Sequence, residues 1–348
     1  MTIHPAFANL SPERRGKGIY WQRSWNVVRG CSKVSPGCDH CWLEAETARH
    51  AKHPNPKIAL PCWPAITNGA WSGNVHMDLL ALPKPLTIQK PTVWAVWSDL
   101  FHEQVTDEFL DRVFAVMALA PWHLFLVLTK RPERMRAFFE RCKAANWNNV
   151  RDAINHPSLC GQGDRKGSLE TPLPNLWLGV TAENQAMADA RIPILLETPA
   201  AARFVSVEPM LGPINLGFLR APKDEDYVGW PGDGPIDVVV TRRADLLHWV
   251  IAGGETGPGA RPTHPDWLRS LRDQCAAAGV PFLLKQLGEW SQDPAGDRCV
   301  NLAGRHMPNN EPHGKNGTGT VRIRRVGKRA AGRLLDGCTH DAYPQEAA

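Results

Sequence analysis

The 348-residue chain contains no run near the ~18 continuous apolar residues that a membrane-spanning helix requires. Its opening stretch, Met1 to Gly18, lacks the apolar core of a signal peptide. There is no phosphate-binding P-loop, no Gly-x-Ser-x-Gly elbow and no His-Glu-x-x-His pair. These absences exclude the commonest nucleotide hydrolases, serine esterases and zinc proteases, and they predict a cytoplasmic protein with no membrane partner. In that compartment nine cysteines read as thiols, metal ligands or catalytic groups before they read as disulfides. A hydrophobic fraction of 43% and a charged fraction of 22% exclude a disordered chain, a collagen-like chain and a small disulfide scaffold. The length allows one large domain or two ordinary ones, with a sizeable core.

What is present is unevenly spread. Seven basic residues and no acidic one lie between Lys315 and Arg333, and six basic residues against Glu13 alone lie between Ser11 and Lys33. Those segments carry +12, so a chain of net charge +5 has a body of −7. Basic ends on a mildly acidic body suggest an anionic partner, nucleic acid first, and a solvated basic tail is the plain alternative.

The middle of the chain repeats a short apolar run followed by a helical stretch. The runs are Thr92–Trp97, Leu124–Leu128, Leu176–Val180, Ala202–Val207, His248–Ala252 and Pro281–Leu284, with an earlier strand expected at Trp25–Val28. Several are apolar almost throughout, as parallel strands buried on both faces must be. Helices are expected at Asp107–Leu119, capped by Thr106, from Pro132 to about Ala145, at Asn184–Glu197, and from Pro265 to a stop at Gly279. About seven such units predict an α/β fold, a partial or full parallel TIM-like barrel, rather than a doubly wound sheet. The barrel is assigned to residues 1–290, with inserts near 54–91, 146–174 and 220–246, and residues 291–348 form a basic C-terminal extension.

Chemistry in such folds gathers beyond the carboxyl ends of the strands. Those ends carry Ser98 and Asp99, Thr129 and Lys130, Glu183 and Asn184, Glu208, then Gly253-Gly254-Glu255, and Lys285. Any strand becomes polar at solvent, but turns favour Gly, Asn and Ser over Lys130, Glu208, Glu255 and Lys285 directly abutting buried runs. A shared polar pocket follows. The glycine pair would let a ligand approach the backbone closely, and Glu255 could accept from an ammonium or hydroxyl group.

Cys31, Cys38 and Cys41 form C-x6-C-x2-C, whereas the other six cysteines are scattered singly. Three thiolates within eleven residues can serve one metal centre. Structural zinc would need a fourth ligand from His40, His50 or His53. An iron–sulfur cluster with three cysteines keeps one iron open. The loop follows the first expected strand at the same end as the polar pocket, which favours the cluster.

The loop, together with Ser98 to His102, Leu128 to Pro132, Leu178 to Asn184, Phe204 to Pro209, Gly253 to Glu255 and Lys285-Gln286, resembles the radical S-adenosylmethionine (SAM) superfamily. More closely it resembles a radical-SAM-like family of phage and prophage proteins. The match runs over about residues 19–290, and Gly327–Gly337 resembles a frequent tail motif of that family. The resemblance implies a radical-SAM-type barrel in which Cys31, Cys38 and Cys41 hold a 4Fe–4S cluster whose open iron binds SAM. It also implies reductive cleavage to a 5′-deoxyadenosyl radical by an external electron donor. The usual superfamily spacing is C-x3-C-x2-C, and its Gly-Gly-Glu follows an early strand rather than a late one. By position, the expected cofactor contacts are Ser98, Asp99, Thr129, Glu183, Asn184, Gly253, Gly254 and Glu255. The expected catalytic groups are Lys130, Glu208 and Lys285.

Relatives in that phage family are associated with thymine hypermodification, which implies DNA as substrate, in the host cytoplasm if the chain is phage-encoded, and isomerisation of an amino-acid–thymine adduct. A radical route suits migration at an unactivated carbon. Arg322, Arg324, Arg325 and Lys328 are the expected DNA contacts, and Trp21, Trp42, Trp94 and Trp97 are candidates for stacking a flipped base. A radical SAM DNA-repair lyase and a non-catalytic zinc-containing nucleic-acid-binding protein are the alternatives.

Overall fold

The computed structural model describes residues 4–156, 159, 169, 171–217, 247–308 and 319–344. Seven parallel strands pair in chain order in one curled, half-barrel sheet. They are β1 (Arg23–Ser24), β2 (Val93–Val96), β3 (Leu124–Thr129), β4 (Leu176–Thr181), β5 (Ala202–Val207), β6 (Trp249–Gly253) and β7 (Phe282–Gln286). This sequential order is that of a partial TIM-like barrel, since a doubly wound sheet reverses its order at a switch point. The helices used below are α1 (Trp42–His50), α2 (Asp107–Leu119), α3 (Pro132–Ala144), α4 (Asn148–Ile154), α5 (Gln185–Glu197) and α6 (Pro265–Ala278). Their boundaries follow local chemistry. Thr106 accepts from the Phe109 N–H at the start of α2, and Gly279 ends α6 at φ 70°.

Alternation along the strands sorts two cores. Trp94, Val96, Phe125, Val127, Leu178, Val180, Val205 and Val207 face outward and pack with the helices. Val93, Leu124, Leu126, Trp177, Phe204, Trp249, Ile251 and Leu283 face the hollow of the half-barrel. Such residues are buried on both faces of the sheet, which is why the runs read as continuously apolar. A Cβ on Gly179 would lie 2.4 Å from the Phe204 ring, so glycine there lets the ring fill the hollow.

The sheet is open between β1 and β7, and both ends of the described chain cover that seam. Residues 340–342 run antiparallel to β7, with Leu284 N–H donating to His340 O and Ala342 N–H to Phe282 O. Buried Arg333 donates to Leu284 O and to Arg15 O, and it pairs with Asp341. Tyr343 enters the hollow against Phe7 and Trp249, with ring centroids 5.1 and 5.4 Å apart.

Three expectations change. The first sheet strand is Arg23–Ser24, not Trp25–Val28; Val28–Arg29 instead pairs antiparallel with His76–Met77. The chain leaves β2 once Trp25 is reached, and its indole donates to Ala81 O in the insert at 54–91. The insert at 146–174 contains α4, introduced by Trp147 at φ 59°. The described residues within 291–348 are more closely joined to the barrel than an extension would be. They supply the seam and most of a four-stranded antiparallel sheet of β8 (Trp290–Gln292), β9 (Arg298–Val300), β10 (His306–Pro308) and β11 (Val321–Arg325). The insert at 220–246, Cys160 and Lys315 lie outside the described residues. Among the described residues no helix is long and apolar enough to cross a membrane.

Candidate functional site

The three-cysteine loop lies across the carboxyl ends of the parallel strands and is pinned there from three sides. Beyond β2, Asp99 Oδ1 accepts from the Thr129 hydroxyl at 2.6 Å, and Asp99 Oδ2 accepts from the Lys130 N–H at 3.2 Å and from Arg131 Nη1 at 2.9 Å. Arg131 is thereby aimed at the loop, where Nη2 donates to Ser32 Oγ at 2.7 Å and Nη1 stands 3.7 Å from Cys31 Sγ. His102, fully buried, holds Ser32 Oγ at 3.0 Å.

Beyond β4, fully buried Glu183 accepts from the Gly37 N–H at 3.0 Å and pairs with Arg191 at 3.0 Å. A Cβ on Gly37 would meet the Glu183 carboxylate at 3.0 Å, so glycine permits this approach. Burial pushes the Glu183 carboxyl up; hydrogen bonding from Ser35 and Gly37 with the charges of Arg191 and Lys130 outweighs it, leaving the pKa below the ordinary value.

Beyond β6, Glu255 accepts from Arg261 at 2.6 and 2.8 Å and lies 3.1 Å from His40 Nδ1. Its pKa is likewise lowered, because Arg261 and His40 outweigh burial. Arg261 then donates to Pro36 O at 2.8 Å and pairs with Asp39 at 3.2 Å.

Several expected cofactor contacts are thus engaged in holding the loop or building the strand ends. Asp99 and Thr129 satisfy each other, and Glu183 and Glu255 are clamps. Asn184 caps α5 by accepting from the Met187 N–H at 3.0 Å. Both glycines have packing reasons. A Cβ on Gly253 would reach Glu208 Oε1 at 2.9 Å, and one on Gly254 would reach Leu287 O at 2.1 Å. Ser98 is buried at the end of β2. Arg261 and Arg191 are the residues that sequence reasoning passed over, while Arg131 stood there only as a strand-end neighbour of Lys130 and His40 only as a candidate zinc ligand. Arg131 and His40 sit inside quoted segments, but no spacing rule says which neighbour reaches across to the loop.

Burial raises the Cys31 thiol to about 11, with Asp99 adding to the rise and Arg131 opposing it. Burial also raises Cys41, against which Lys130 acts, and both thiols feel Cys38. Among the described residues no three His, Cys, Asp or Glu side chains converge to hold one metal ion. Zinc requires such convergence; of the proposed fourth ligands, His40 Nδ1 faces Glu255, His53 Nδ1 accepts from the Asn55 N–H and His50 lies 3.9 Å from Glu46, contacts made through one ring nitrogen each. A cluster asks something different, since each cysteine binds a different iron and the thiols need not meet at one point. The remaining described cysteines are elsewhere; burial raises Cys142 to about 11 and Cys275 to about 12, as for inert core thiols.

Inside the half-barrel, at the same end, Lys285 Nζ lies 3.0 Å from Glu208 Oε1 and 5.3 Å from the Trp21 ring centre. Glu208 Oε2 accepts from Ser206 at 3.2 Å and Tyr20 at 3.4 Å. Trp21 and Trp97 meet edge to face at 5.0 Å, and Tyr20 touches both. Trp97 Nε1, Glu208 Oε1 and Gln286 Oε1 are buried with no well-aligned hydrogen-bond partner. Trp94 is not in this group; it is an outward core residue over which Arg23 lies. Trp42 is exposed at the start of α1.

The expected DNA contacts divide. Arg324 and Arg325 line a cleft beside the loop, each also held by a carboxylate, Asp293 at 2.9 Å and Glu289 at 3.9 Å. Arg322 donates to Pro294 O. Lys328 instead stands near Lys285 and Glu208, where burial first and the Lys285 charge second lower its pKa.

The family described as a protein of unknown function (DUF5131) matches the chain over residues 17–344. No curated protein and no solved structure matches.

Proposed function

The chain belongs to the DUF5131 family, and from its site we propose that it is a radical SAM enzyme acting on a nucleobase of DNA. The observation that carries this reading is the position of the Cys31–Cys41 loop, clamped by Arg131, Glu183 and Arg261 over the carboxyl ends of a parallel half-barrel. In that architecture catalytic groups gather there, and a purely structural metal knot has no need of the position. Cys31, Cys38 and Cys41 would hold the cluster, and with SAM bound it would supply a 5′-deoxyadenosyl radical.

The chain's own contribution is orientation, charge and exclusion of water. Arg131 beside Cys31 and Lys130 near Cys41 favour the thiolate forms that ligation requires. Trp21, Trp97 and Tyr20 provide an aromatic wall for a base. Lys285 and Glu208 complement the carboxylate and ammonium of an amino-acid substituent, and the unpartnered Trp97 and Gln286 atoms offer a donor and an acceptor. Isomerisation of an amino-acid–thymine adduct is the reaction that these side chains and the unactivated carbon chemistry favour.

Anaerobic reconstitution tests the cofactor. The expected result is a brown protein with about four irons that yields 5′-deoxyadenosine from SAM under dithionite. Both properties are lost in a C31A/C38A/C41A variant. A colourless zinc protein would end the radical reading. Mass spectrometry of nucleosides from DNA made with and without the protein tests the substrate; repair products from damaged DNA would redirect it to a lyase.

A further inference from the structure

A cleft of about 410 Å3 opens beside the cysteine loop, lined by Gly259 to Pro262, Trp290, Asp297, Arg298, Arg324 and Arg325. One wall is continuous with the loop. Arg261 donates to Pro36 O, and a Cβ on Gly259 would touch His40 Nε2 at 2.9 Å. The opposite wall comes from β8, β9 and β11.

The four guanidiniums are not equivalent. Arg261 is consumed by Glu255, Asp39 and Pro36. Arg324 gives Nε to Asp293 and Nη2 to Ala295 O, which leaves Nη1 available and the side chain 49% exposed. Arg325 gives Nη2 to Gly257 O and has its nearest carboxylate, Glu289, only at 3.9 Å. Arg298 meets no carboxylate within ion-pair distance among the described residues; its guanidinium lies over the Trp290 ring at 5.8 Å. Trp290 is itself fixed by an indole hydrogen bond to Ala260 O at 2.7 Å. A cation over a fixed aromatic face is favourably placed there without a local anion.

We propose that this cleft is a phosphate subsite, with Arg298 and Arg325, which share one face of the antiparallel sheet, holding a backbone phosphate of the polynucleotide whose base enters the half-barrel. The identification of the ligand as a polynucleotide rests on the nucleic-acid reading above; the phosphate chemistry rests on the cleft. Guanidinium forks match phosphate oxygens, and contacts of this kind set register while carrying no sequence information. A strand held here passes beside Pro36 to Asp39 and therefore beside the cysteine loop.

The test is fluorescence anisotropy of the full chain with a labelled single-stranded oligonucleotide across a salt series, for wild type, R298Q, R298Q/R325Q and the exposed out-of-cleft control R329Q. The double variant should lose about 10- to 100-fold in affinity, and the slope of log K against log salt should fall by about one per phosphate contact removed. R329Q should change affinity less than about twofold. Equal losses from R298Q and R329Q, or no loss from the cleft variants while wild type binds, would overturn the subsite and leave the nucleic-acid reading standing. Wild type that ignores oligonucleotides but binds inorganic pyrophosphate in an Arg298-dependent way would keep the subsite and remove the polynucleotide. Arg298 is exposed, so loss of fold does not confound its substitution.

Discussion

Glu183 does two things at once: it neutralises buried Arg191 and it holds the Gly37 N–H. Glu183→Ala leaves Arg191 unpaired and 4% exposed, so it should cost about 3–5 kcal/mol in denaturant unfolding, the usual consequence of breaking a buried pair. It should also free the loop and reduce iron loading. The pH dependence has a definite sign. The Glu183 and Glu255 carboxyls titrate below the ordinary glutamate value of 4.5, so their contribution is fully present above that value and is lost as pH falls through the lower folded values. The stability gap between wild type and Glu183→Gln should be flat near neutrality and shrink in acid; a gap that widens toward low pH contradicts the clamp. Residues at this scale were only partly legible in the sequence. The three cysteines announced themselves by spacing, whereas Arg131 and Arg261 act through contacts with the loop some 100 and 225 positions away in sequence, which no local pattern encodes.

The elements were far more legible. Ala202–Val207 and Asp107–Leu119 have the expected bounds, because a strand buried on both faces and a helix with a Thr cap and an acidic first turn leave local signatures. The first strand failed for an equally physical reason. It is two residues long, and the more apolar stretch after it belongs to a separate hairpin. Glycine at position 179 was read only as part of an apolar run, yet the interior depends on it. Gly179→Ala should force the Phe204 ring aside and destabilise by about 1–3 kcal/mol, and G179A/F204L should recover part of that loss. Thermal or urea unfolding of the two variants provides the check. Additive losses would mean that the Phe204 ring is not what the new methyl group meets.

At the scale of the whole molecule, the half-barrel is completed by segments distant in sequence. Tyr343 packs against Phe7 and Trp249 in the hollow, and Arg333 ties the returning chain to β7. Tyr343→Ala should cost about 3–5 kcal/mol, as for other large aromatic truncations in a core. Ending the chain before Arg333 should expose the inner face of β7 and bind a hydrophobic dye such as ANS. A truncated protein with unaltered unfolding and no dye binding would refute the seam. Composition gave no sign of this arrangement. A basic tail looks the same in sequence whether it trails in solvent or returns to an open sheet edge.

The contact between Phe7 and Tyr343 also fixes a temporal order. Every partner of the cysteine loop, from Asp99 to Arg261, has been synthesised before Arg333 and Tyr343 exist, so the loop can dock on the strand ends while the opposite floor of the half-barrel is still unfilled. Closing the seam is a late, long-range event that must follow synthesis of nearly the whole described chain, and loop-closure entropy makes it slow relative to local pairing. During that interval the loop is assembled but the hollow beneath it is still open from below.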